Sequence, residues 1–104
     1  MALRGVQEDK PVPAEFERLV QQEVERIVAG MPALDSPHNI VVRRARQSGE
    51  RYFVSLECTI APETPVVDAH HQSTLLEREL TQRLESIAEV LIHLEPPLAD
   101  YSPG

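Results

Sequence analysis

The spacing of hydrophobic residues changes period along the chain, and each change marks an element. Between Pro13 and Ala29 the apolar residues Phe16, Leu19, Val20, Val24 and Ile27 recur at helical spacing with Glu and Gln between them. This predicts an amphipathic helix, ended near Ala29 by Gly30 and Pro32. Met31 to Pro37 reads as a connector with Asp35-Ser36-Pro37 as turn chemistry, which places His38 at the mouth of the next element. Asn39 to Arg46 contains Ile40, Val41 and Val42 and then turns basic, as suits a strand with an exposed far end.

Gln47-Ser48-Gly49-Glu50 has the composition of a hairpin turn. Arg51 to Ile60 then alternates cleanly, with Tyr52, Val54, Leu56, Cys58 and Ile60 on one face and Phe53, Ser55, Glu57 and Thr59 on the other. Ala61-Pro62-Glu63 breaks the strand, and Thr64-Pro65 offers an N-cap followed by proline at the first helical position. Ala69, Leu76, Leu80, Leu84 and Ile87 trace a helical stripe to about Ser86. A last strand follows Ala88 and runs to Glu95, where Pro96-Pro97 stops it.

The predicted order is helix, strand, strand, helix, strand, without internal repeats. Two helices on one side of a three-stranded sheet give an α+β fold, an αββαβ open sandwich related to the ferredoxin-like arrangement. The expected division is a flexible N-terminal arm over 1–13, one domain over 14–96, and a loose tail over 97–104.

Composition narrows the class of partner. The 104 residues carry 10 Lys plus Arg against 17 Asp plus Glu, a net charge of −7 that disfavours nucleic acid. Arg43, Arg44 and Arg46 form the one basic concentration, read as a solvated strand end or as a contact for acids or anionic lipid. The single cysteine, Cys58, excludes an intrachain disulfide and a cysteine-based zinc cluster, and fits a reducing, intracellular setting. Its place on the apolar face makes it a small core residue. No apolar run approaches the roughly 20 residues needed to span a bilayer, so the chain as written reads as soluble.

The candidate chemistry sits in the last strand. Val90, Ile92 and Leu94 share one face, while His93 and Glu95 share the other, about 7 Å apart along the strand. Imidazole and carboxylate at that spacing can converge on one divalent ion or flank two. Glu89, on the same face, fits a plain solvated surface equally well. His70 lies early in its helix, where the dipole favours a neutral, ligand-competent imidazole, and His71 points about 100° away. Glu57 faces away from the core, and His38 following a proline is compatible with a simple turn residue. No Gly-rich phosphate loop or nucleophile motif supports an enzyme.

His38-Asn39-Ile40, the long alternating second strand, Val66-Val67-Asp68-Ala69-His70 and the closing Ile92-His93-Leu94-Glu95-Pro96 together resemble one family. It is the cytoplasmic C-terminal domain of cation diffusion facilitator transporters, which export zinc and related divalent ions. The resemblance implies a metallochaperone-like fold, a V-shaped homodimer and metal bound at the dimer interface. By position the implied ligands are His38, Glu57, His70, His93 and Glu95, with zinc or another divalent transition metal as the ion. Glu57 is a departure, since some zinc-binding members have His there, but a carboxylate also binds zinc.

The resemblance further implies a cytoplasmic location, tethered to the inner face of a membrane if the domain belongs to a transporter. The transporter's membrane helices are not in this sequence, so the expectation is either a domain excised from a transporter or a free-standing relative, with a membrane transporter domain as partner in cis or in trans. The expected function is a regulatory metal-binding and homodimerisation domain. A metal-independent structural dimerisation module is the alternative.

Overall fold

The structure, a computed structural model, describes residues 11–45 and 51–97. The expected hairpin turn at 47–50, most of the expected arm and nearly all of the expected tail lie outside the described residues. Helix α1, Ala14–Ala29, starts behind Pro13, whose carbonyl accepts the Phe16 and Glu17 amides at 3.0 and 3.1 Å. Glu15 and Glu17 in its first turn and Arg26 in its last complement the helix dipole. Its core face is Val20, Val24, Ile27 and Val28. Gly30 ends the helix at φ −93°, outside the left-handed region, so the stop owes more to Pro32 than to glycine's freedom.

Strand β1 spans Leu34–Arg44 and β2 spans Tyr52–Ile60. The first strand thus begins before the expected Asn39, and the segment read as a turn lies inside it. Helix α2, Val66–Arg83, is preceded by Pro65, and no side chain caps it, so the expected Thr64 cap is not made. It ends short of Ser86 because Leu84 turns extended, and Ile87 opens strand β3, Ile87–Glu95. Ile87, expected on the helical stripe, therefore reaches the same core from the strand.

The sheet order is β1-β2-β3, with β2 central, antiparallel to β1 and parallel to β3. The αββαβ fold expected from the sequence is the one observed. Val54, Leu56 and Cys58 of β2 pack with Val20 and Val24 of α1 and Leu76 and Leu80 of α2, all at most 2% exposed. Alternation sends every second β2 residue into this core and leaves Phe53, Ser55, Glu57 and Thr59 on the other, open face. Phe16 stacks on Tyr52 with ring centroids 4.4 Å apart, pinning the start of α1 to the sheet. Glu23 of α1 pairs with Arg83 of α2 at 3.5 Å, an ion pair across the helices rather than a close hydrogen bond. Among the described residues no helix is long and apolar enough to cross a membrane.

Strand β1 departs from regular pairing in one place. Asp35 pairs with Thr59, His38 with Glu57 and Val41 with Ser55, so three steps along β1 twice face two steps along β2. These are two successive bulges. Each contains a non-glycine residue with positive φ, Ser36 at 51° and Asn39 at 50°. Counting back by twos from buried Val42 would send His38 to the core. The bulge at Asn39 turns His38 to the open face, and the bulge at Ser36 restores the phase, so that Leu34 is buried again.

Candidate metal centre

Three adjacent strands contribute to one cluster on the open face. Glu57 stands opposite His38 on one side and His93 on the other, and Glu95 stands opposite Thr59 one alternation further along. His38 Nε2 lies 3.1 Å from Glu57 Oε1 and 3.4 Å from Glu95 Oε2. Ligand atoms of His38, Glu57 and Glu95 all fall within 4.8 Å of one another, each side chain partly buried. His93 Nε2 is 3.9 Å from Glu95 Oε1 and more exposed, at the margin of the cluster.

Neighbouring groups hold these side chains in place. His38 Nδ1 is 2.6 Å from the Ser36 carbonyl, an oxygen that accepts only, so Nδ1 carries the proton and donates it. Nε2 is thereby turned toward the carboxylates. Asn39 Nδ2 donates to Glu57 Oε1 at 3.1 Å. The Ser36 carbonyl raises the His38 pKa above its ordinary value, and the nearby Glu57 and Glu95 charges add to the rise against a desolvation that opposes it. The Asn39 hydrogen bond lowers the Glu57 pKa, with His38 and His93 adding to it, again against desolvation.

The donor set suits a divalent transition ion. Tetrahedral zinc with bonds of about 2.0–2.1 Å needs ligand atoms about 3.3–3.4 Å apart. The two His38 to carboxylate separations, 3.1 and 3.4 Å, fall close to that spacing. One imidazole nitrogen and two carboxylate oxygens fit zinc and harder divalent ions alike.

Of the five residues singled out from sequence, the fold brings His38, Glu57 and Glu95 together with His93 beside them. His70 is exposed on α2, an element of the helix layer, and is not part of the cluster. Asn39 and Ser36 were missed as site residues, and Asn39 next to a strand histidine was the legible signal, since Asn tolerates the left-handed bend a bulge requires. Cys58 is buried on the core face, as expected, and burial pushes its thiol up to about 11.

A family model described as the cation efflux protein, cytoplasmic domain, matches residues 17–97. The chain belongs to this family. The family is one of cytoplasmic domains of cation efflux proteins, in agreement with the resemblance noted from sequence. The cation-efflux pump FieF of Yersinia enterocolitica is 33% identical over 76 residues, 73% of this chain and 24% of the pump. FieF of Salmonella typhimurium is 30% identical over the same length. The cation efflux domain thus spans about a quarter of the curated relatives it matches.

Solved structures agree on the fold. The metal-bound C-terminal domain of the CzcD transporter from Thermotoga maritima superposes with a TM-score of 0.70 at 26% identity, covering 78% of this chain and 91% of that one. The zinc form of CzrB gives a TM-score of 0.72 at 29% identity, covering 90% and 98%.

Proposed function

We propose that this cation efflux domain is a regulatory divalent-metal-binding and homodimerisation module, serving a membrane transporter in cis or in trans. The observation that carries the reading is His38 Nε2 standing 3.1 and 3.4 Å from carboxylates of two other strands. His38, Glu57 and Glu95 would hold the ion, with His93 near enough to complete the set. His70 would contribute only from a second copy or to a separate ion. The metal-bound state of CzcD and the zinc form of CzrB support an ion of the zinc class.

The open face supports a second copy as the partner. Val41, Phe53 and Leu91 are 42%, 43% and 70% exposed there, around a shallow 370 Å³ depression also lined by Arg43 and Glu89. Because the ion cluster lies on this same face, an ion that binds one spacing of two copies better than another shifts the population toward it. In a transporter this would couple cytosolic metal to the membrane part. The exposed apolar residues also favour a second reading, a structural dimerisation module indifferent to metal.

Calorimetric titration with zinc, alongside light-scattering mass with and without zinc, separates the two. Micromolar or tighter binding that weakens at least tenfold in His38→Ala, about 1.4 kcal/mol, supports the metal module. A dimer that ignores zinc leaves the structural reading.

A further inference from the structure

We propose that Asn39 is the positioning residue of the candidate ion site, acting once through its backbone and once through its side chain. The proposal rests on the metal reading above. The backbone role follows from strand phase. A strand shows alternate residues to opposite faces, and Val42 and Arg44 fix which residues of β1 face inward. By that phase His38 belongs in the core, where an imidazole would be stranded among Val54, Leu56 and Cys58 of the facing strand. The extra residue of the bulge, with Asn39 at φ 50°, reverses the phase and delivers His38 to the open face.

The side-chain role follows from where the same bend leaves the amide. Asn39 Nδ2 donates at 3.1 Å to Glu57 Oε1, the oxygen that also lies 3.1 Å from His38 Nε2. One residue therefore sets the direction of the imidazole and orients the carboxylate it meets. Groups that orient ligands in this way commonly govern affinity by 10 to 100-fold, because a ligand free to rotate must be ordered when the ion arrives. Asparagine suits both tasks, being the side chain most tolerant of left-handed backbone that also carries a hydrogen-bond donor. Glycine would keep the bend and lose the donor. Alanine would lose the donor and resist the bend.

That difference supplies the test. Zinc affinity by calorimetry and visible absorption of the cobalt(II) form are measured for the wild type, Asn39→Gly and Asn39→Ala. Thermal midpoints are taken in chelator, and the Asn39 side-chain amide resonance is compared between the wild type and Glu57→Ala without metal. Asn39→Gly is expected to bind zinc about 10 to 100-fold more weakly, with altered cobalt bands and a metal-free midpoint close to the wild type's. Asn39→Ala should show at least the same loss of affinity together with a lowered metal-free midpoint. The amide resonance should move in Glu57→Ala. Wild-type affinity and bands in Asn39→Gly, or an unmoved amide resonance, would overturn the positioning role while leaving the site intact. A wild type that takes up neither zinc nor cobalt overturns the site and the role together.

Discussion

His38 meets Glu57 at 3.1 Å across β1 and β2, although the alternation of its own strand points it into the core. Two back-to-back bulges make the contact, and the rest of the candidate site is built around it. Glu95 arrives from β3, which pairs with the other edge of β2. The central strand is therefore the ruler along which the three candidate side chains are aligned.

The pairing of His38 with Glu57 predicts how the metal-free domain responds to pH. His38 is raised above its ordinary 6.5, so its contribution is complete below that value and is lost as pH rises through the raised pKa. Glu57 is lowered below its ordinary 4.5, so its contribution is complete above that value and is lost as pH falls through the lowered pKa. Both act fully between roughly 4.5 and 6.5. Chemical denaturation across pH should show the wild type losing its advantage over His38→Ala on both sides of this window. Because an ion must displace the His38 proton, zinc affinity should rise as pH climbs from 6 toward 8.

Ser36 carries the strained half of the double bulge. A non-glycine residue at φ 51° is disfavoured by about 1–2 kcal/mol. Ser36→Gly keeps the carbonyl that accepts from His38 and should leave the melting temperature equal or slightly higher, with zinc affinity unchanged. Ser36→Val adds a β-branched side chain in the same conformation and should destabilise by roughly 1–3 kcal/mol. Thermal melts in chelator, paired with zinc titrations, check both.

Cys58 should be inert in the folded protein. It has no exposed surface, and burial holds its thiol near 11, so little thiolate exists at pH 8. Labelling by a maleimide or an aromatic disulfide should be slow in buffer and rapid in denaturant. Fast labelling of the native protein would mean that β2 opens readily.

Phe53 tests the open face as the contact between copies. Its side chain points away from the helices, so Phe53→Asp should leave the monomer fold intact while weakening association at least tenfold. Sedimentation or light scattering over a dilution series, with circular dichroism as the control for folding, reads both. An unchanged dimer would place the interface elsewhere.

Local pattern determined most of the architecture. The clean alternation of Tyr52 to Ile60 and the helical stripes of both helices made the αββαβ order legible, because periodicity reports which face is buried regardless of what buries it. The motifs around His38, His70 and His93 were enough to identify the family. Boundaries fared less well where two periods overlap: Ile87 fits the helical stripe and the strand equally, and only packing assigned it to β3.

The candidate residues could be named one by one from the sequence, but their arrangement could not. Sequence placed His93 and Glu95 on one face of one strand, a local relation that needs no partner. That His38 and Glu57 join them depends on which strands become neighbours and on a phase reversal at Asn39 that no period-2 count contains. Strand pairing is a long-range relation, and a bulge is defined by the residues opposite it. Tertiary structure alone therefore decided that three candidate side chains from separate strands converge, while His70 stays apart on the helix layer.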